Sequence, residues 1–81
     1  MTFTSKYHHL NLSVYTQGDK WKVTVEYPPH PITLLDNEFD TPEIAKDNAL
    51  IAADGHLQRW YKDIQYESLP ATRIRWIELH S

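Results

Sequence analysis

Between Tyr7 and Thr16 the chain alternates. His8, Leu10, Leu12 and Val14 fall on one side, and Tyr7, His9, Asn11, Ser13 and Tyr15 on the other. Trp21 to Tyr27 repeats the pattern, with Trp21, Val23, Val25 and Tyr27 opposed to Lys20, Lys22, Thr24 and Glu26. A period of two marks half-buried strands. A two-residue turn at Gly18-Asp19, glycine first, favours a type II′ hairpin. Gln17 then faces Lys20, Thr16 faces Trp21, Val14 faces Val23, Leu12 faces Val25 and Leu10 faces Tyr27. Apolar meets apolar everywhere except at Thr16, whereas a slip of one residue exposes one strand's whole hydrophobic set. On the outer face Tyr15 pairs with Lys22, Ser13 with Thr24 and Asn11 with Glu26, which reads as a solvated surface. The first six residues read as a ragged lead-in.

Pro28, Pro29 and Pro31 stop the hairpin, because proline lacks the ladder donor and restricts the residue before it. An extended connection over Tyr27–Pro31 follows. A third strand is expected over Ile32–Phe39, with Leu35 and Phe39 on one face and Ile32 and Leu34 on the other. Phe39 to Ile64 then reads as the one long helix, with Thr41 as N-cap, Pro42 at the first helical position and Glu43 next. At about 100° per residue, Ala45, Ala49, Ala53, His56, Leu57, Trp60 and Ile64 share an apolar sector, with Leu50 and Ala52 at its edges. Asp47, Asn48, Asp54, Gln58, Arg59 and Lys62 lie opposite. The small alanines permit close approach to a sheet, and Trp60 is expected to be buried near Val23 or Val25. Ile44 and Ile51 interrupt the polar face beside Gly55, either as half-exposed surface residues or as a second contact stripe.

Gln65–Thr72 is a polar link, and Arg73–Leu79 reads as a last strand. Ile74 and Trp76 point one way, Ile77 and Leu79 the other. A bulge between Trp76 and Ile77, a strand covered on both faces, or a short terminal helix accounts for that pattern. The fold class is α+β: residues 1–81 form one domain, a three- to four-stranded, mainly antiparallel sheet in the order β-β-β-α-β, with one helix packed on one face.

Composition narrows the chemistry. The 81 residues include no cysteine, so there is no disulfide framework, thiol nucleophile or thiolate metal site. Eight basic against eleven acidic side chains, a formal net charge of −3, argue against a general nucleic-acid binder. Tyr15 beside Lys22 is the arrangement on which single-stranded bases stack, but Glu26 shares that face. No apolar run reaches membrane-spanning length and no signal-peptide core precedes the first strand, so a cytoplasmic protein without membrane association is expected. Asp36, Glu38, Asp40, Glu43 and Asp47 make an acidic region, read as a solvated edge strand followed by helix-start charges. The histidines at 8, 9, 30, 56 and 80 match no metal motif. His8 and His9 are expected on opposite faces of a strand, and His56 at the rim of the core. The serines lack a nucleophile-elbow context, and two glycines cannot build a phosphate-cradling loop. No catalytic, metal or cofactor site is indicated, and no cofactor or enzymatic activity is expected.

From Trp21 to Leu79 the chain resembles the N-terminal domain of HicB antitoxins, a small fold shared with double-stranded-RNA-binding domains. Trp21-Lys22-Val23-Thr24-Val25 resembles its second strand. Phe39-Asp40-Thr41-Pro42-Glu43-Ile44-Ala45 resembles its helix start, and Ser68-Leu69-Pro70 its link before the last strand. The block is similar to small stand-alone bacterial proteins of unknown function as well. Tyr27-Pro28-Pro29-His30-Pro31 replaces the glycine-containing turn of the HicB pattern. No separate DNA-binding segment follows Ser81, and the basic residues that clamp an RNA duplex are missing. The resemblance implies kinship of fold and no inherited activity.

The functional class expected is a non-enzymatic interaction module that self-associates as a homodimer. Its candidate interface residues are Ile44, Ile51, Ile74, Trp76, Ile77 and Leu79. The alternatives are an antitoxin-like or inhibitor protein that occludes a protein partner, and a weak single-stranded nucleic-acid binder.

Overall fold

The computed structural model describes residues 1–27, 32–60 and 70–79, without the side chains of Trp60 and Ala71. Its sheet has five strands: β1 (Thr2–Tyr7), β2 (Leu10–Gln17), β3 (Lys20–Glu26), β4 (Thr33–Leu34) and β5 (Ile77–Leu79). They lie in the order β4-β3-β2-β1-β5, each neighbouring pair antiparallel. Helix α1 (Pro42–Trp60) stands between β4 and β5 in the chain. It lies across one face of the sheet, over β3 and β2. The α+β class and the single packed helix are those read from the sequence.

The β2–β3 register is the expected one, from Gln17–Lys20 through Val14–Val23 and Leu12–Val25 to Asn11–Glu26. Gly18 carries φ 68°, the left-handed region that glycine enters without a Cβ penalty. Leu10, Leu12, Val14, Val23 and Val25 are all buried beneath the helix.

The opening residues correct the sequence reading. They are no lead-in: β1 pairs with β2 along its whole length, from Thr2–Tyr15 to Tyr7–Leu10. His8 and His9 form the two-residue turn between them, so they do not occupy opposite faces of a strand. His8 takes φ 57°, and the Tyr7 and His8 rings meet edge-on with centroids 5.1 Å apart. A two-residue turn sets residue 7 directly opposite residue 10, so Tyr7 shares the inner face with Leu10. Counting alternation straight through the turn had placed it outside. Tyr7 is 2% exposed, and its hydroxyl donates to Asp54 Oδ1 at 3.1 Å. The inner stripe of β1 reads Phe3-Ser5-Tyr7, and the serine at its centre conceals it. Its hydroxyl is satisfied by donating to the Arg75 carbonyl at 2.7 Å.

The third strand contracts to Thr33–Leu34. Leu35 N–H donates to the Val23 carbonyl at 3.0 Å, and Phe39 exchanges two backbone bonds with Trp21 at 2.8 and 2.9 Å. Between them Asp36, Asn37 and Glu38 are exposed, and the chain leaves the ladder there. The expected faces hold: Leu35 and Phe39 pack against the core while Ile32 and Leu34 are exposed.

Phe39 therefore belongs to the sheet, and the helix begins at Pro42. The Thr41 hydroxyl accepts the Ile44 N–H at 3.2 Å, and its carbonyl accepts the Ala45 N–H at 3.1 Å. That satisfies groups a helix start would leave unpaired. Ala45, Ala49 and Ala53 are fully buried and Leu57 nearly so, with Leu50 and Ala52 packed at the margins. The expected extension to Ile64 with Lys62, the packing of the Trp60 side chain, the Pro28–Pro31 connection with His30, most of the polar link and His80 lie outside the described residues.

After a 3-10 turn at Ala71–Arg73, β5 pairs with β1 as Thr2–Leu79, Phe3–Glu78 and Thr4–Ile77. Ile74 and Trp76 pack against the core. The expected strand Arg73–Leu79 contracts to Ile77–Leu79, because Arg73 closes the 3-10 turn and Ile74 and Trp76 reach the core before the ladder begins, and the three paired residues hold no bulge.

Tyr7→Ala is expected to cost about 3–5 kcal/mol, the range for truncating a buried large aromatic, in urea unfolding. Were Tyr7 on the outer face, as straight alternation places it, the variant would melt like the parent. Gly18→Val is expected to destabilise as well, since a β-branched residue resists positive φ.

Candidate functional site

The helix covers one face of the sheet, and among the described residues no element covers the other. Registers order the open face into cross-strand rows: Leu79–Thr2–Tyr15–Lys22, then Ile77–Thr4–Ser13–Thr24–Leu34, then Lys6–Asn11–Glu26. The centre carries hydroxyls and the margins carry apolar side chains. Ile77 is 57% exposed and Leu79 48%. A shallow concavity of 530 Å³ lies toward the β5 side, lined by Thr4, Lys6, Asn11, Ser13, Arg75 and Ile77 among others.

Charge is unevenly placed. Lys6, Lys22 and Arg75 border the open face, where Glu26 accepts a bond from Asn11 Nδ2 at 3.1 Å. Asp36, Glu38, Asp40, Glu43 and Asp47 are exposed around β4 and the first turns of α1, as the sequence reading of that acidic region has it. Within it Lys20 pairs with Asp40. The shared hydrogen bond and opposite charge raise the Lys20 ammonium above its usual pKa and lower the Asp40 carboxyl. Both groups stand in solvent, so the pair adds little stability.

The six candidate interface residues do not form one surface. Ile44 and Ile51 are exposed on the side of α1 turned away from the sheet, whereas Ile77 and Leu79 lie on the open sheet face. Beside Gly55 no atom outside its own stretch of helix comes within 4 Å of where a Cβ would stand, so none of the described residues makes a close approach there. Ile74 and Trp76 are engaged by the chain's own core. The Lys46 ammonium lies 3.8 Å from the Phe3 ring centroid and 5.8 Å from that of Trp76, and Phe3 meets Trp21 at 5.8 Å. These cation–π contacts tie α1 to β1 and to the segment before β5.

Sequence reasoning missed Lys6 and Arg75. Their signal was the strand character of residues 2–7, without which neither could be placed on a face. Among the described residues no three histidine, aspartate or glutamate side chains gather as a metal site, and no helix is long and apolar enough to cross a membrane. Tyr7 is buried and His9 sits in a turn, so neither adds to the outer face beside Tyr15.

His56 is half-buried on the helix, as its place on the apolar sector implies. Burial, followed by the charge of Arg59, lowers its imidazole below the usual pKa. The folded chain thus favours neutral His56, while the unfolded chain takes up a proton near pH 6.5. Its contribution to stability is full above that pH, is lost as pH falls toward the lower folded value, and then levels off. The thermal midpoint is expected to drop on acidification through this window, and His56→Gln is expected to flatten that part of the profile. An unchanged slope in the variant would locate the effect elsewhere.

The chain matches no protein-family model, no curated protein and no solved structure. Its likeness to a known fold therefore rests on topology: the order strand-strand-strand-helix-strand, preceded here by β1, is consistent with the small fold of double-stranded-RNA-binding and HicB-type domains.

Proposed function

We propose that the chain acts by contact rather than catalysis, as a small interaction module that self-associates through the β5 edge. The observation that carries this reading is the difference between the two edges of the sheet. Edge strands offer unpaired ladder groups, and proteins blunt them with short length, bulges and charge. The β4 edge is only two residues long, and although Ile32 and Leu34 are exposed there, the chain passes within two residues to exposed Asp36 and Glu38. The β5 edge carries exposed Ile77 and Leu79 around a single charge, Glu78. A second copy related by a twofold axis, the commonest symmetry of homo-oligomers, would continue the sheet and bury those side chains. Ile44 and Ile51 lie too far around the molecule to join this contact.

An antitoxin-like protein that occludes a protein partner is the second reading, and the shared topology supports it. The same edge would then receive a strand of the partner, a common mode of peptide recognition.

Sedimentation equilibrium at micromolar concentration is expected to give twice the 9.6 kDa chain mass. Ile77→Asp is expected to return it to 9.6 kDa, because an unpaired charge buried at an interface is costly. A clean monomer for the parent chain would remove the homodimer. A dimer that survives Ile77→Asp would move the contact away from β5.

A further inference from the structure

The β1–β5 ladder ends at Thr4–Ile77, and Arg75, two residues before it, lines the same concavity as Lys6. The Ser5 hydroxyl bond to the Arg75 carbonyl holds the chain to β1 at that point. Both cations line the 530 Å³ concavity, together with the Thr4 and Ser13 hydroxyls, the Asn11 amide and Ile77. Like charges lining one concavity repel each other. Among the described residues neither cation forms an ion pair, and the acid sharing this face, Glu26, is held by Asn11. Two adjacent cations over hydroxyl donors are relieved by an anion placed between them.

We propose that this groove binds the phosphate group of a small phosphorylated molecule. Arg75 supplies a planar fork that matches phosphate oxygens, Lys6 a mobile point charge, and the hydroxyls additional donors. Ile77 and the threonine methyl give the body of the ligand an apolar wall. The volume falls within the range of small-molecule sites. A small ligand also fits the field of the molecule: with a net charge of −3 and five exposed acids around β4 and the first turns of α1, an extended polyanion meets repulsion beyond the groove. The charged and hydroxyl groups of the site all come from one chain, and Ile77 is the lining residue it shares with the β5 edge.

The test is a titration of the full chain with adenosine 5′-monophosphate at low salt, followed by backbone amide shifts. Saturable shifts are expected at Lys6, Asn11, Ser13 and Arg75, weakening with added salt because the groove is open to solvent. The double variant Lys6→Gln, Arg75→Gln is expected to bind at least about tenfold more weakly, since charge-assisted bonds are the strong ones, with the remaining spectrum unchanged. Lys6→Glu alone provides a second reading if the double variant loses its fold. Three results would overturn the proposal: no saturable shift, equal binding by adenosine without phosphate, or unchanged affinity in the charge variants. Preferential binding of single-stranded oligothymidylate, with shifts spreading to Tyr15 and Lys22, would also overturn it, by making the whole face a polymer-binding surface.

Discussion

Everything in this molecule depends on the parity of the β2–β3 ladder. With Gly18-Asp19 at the turn, Val14 meets Val23 and Leu12 meets Val25. The same pairing sends Ser13, Thr24, Tyr15 and Lys22 to the other side. A one-residue slip would reverse both sets. Once that inner stripe exists, a helix whose inner positions are Ala45, Ala49 and Ala53 can settle on it. The Thr41 cap and Pro42 fix where the helix starts, just after Phe39 has been pinned to Trp21.

The second turn extends the logic outward. His8-His9 keeps Tyr7 in phase with Leu10, so β1 adds Phe3 and Tyr7 to the core and provides an edge on which β5 docks. One helix cannot cover both faces of this five-stranded sheet. The uncovered face collects Lys6, Lys22 and Arg75 around a hydroxyl-rich centre, and the acids gather near β4 and the helix start. Exposed apolar side chains stand at both edges, but the β4 edge is two residues long and followed by acids, whereas β5 sets Ile77 and Leu79 around one charge. The functional proposals grow from that asymmetry.

Legibility followed the strength of the local pattern. The β2–β3 hairpin, its register and the capped helix were readable because valine and leucine alternate without interruption and Thr41-Pro42-Glu43 is a strong start signal. β1 was not readable, since Ser5 breaks its apolar stripe and a turn without glycine gave no sign of a parity change. β4 was overextended because its apolar residues straddle an acidic stretch that favours water over the ladder. The last strand is overextended too: apolar residues from Ile74 to Leu79 read as one strand, but only Ile77–Leu79 joins the ladder while Ile74 and Trp76 pack on the core before it. The groove beside Lys6 and Arg75 depends on β1 and β5 together, and neither strand alone reveals it.

Amide hydrogen exchange measured at rising protein concentration tests the central claim, that the folded sheet keeps one edge for a partner. The β2 and β3 amides should be strongly protected at every concentration. Amides of Ile77, Glu78 and Leu79 that point away from β1 should gain protection as concentration rises. Exchange at β5 that stays the same from dilute to concentrated solution would contradict the account.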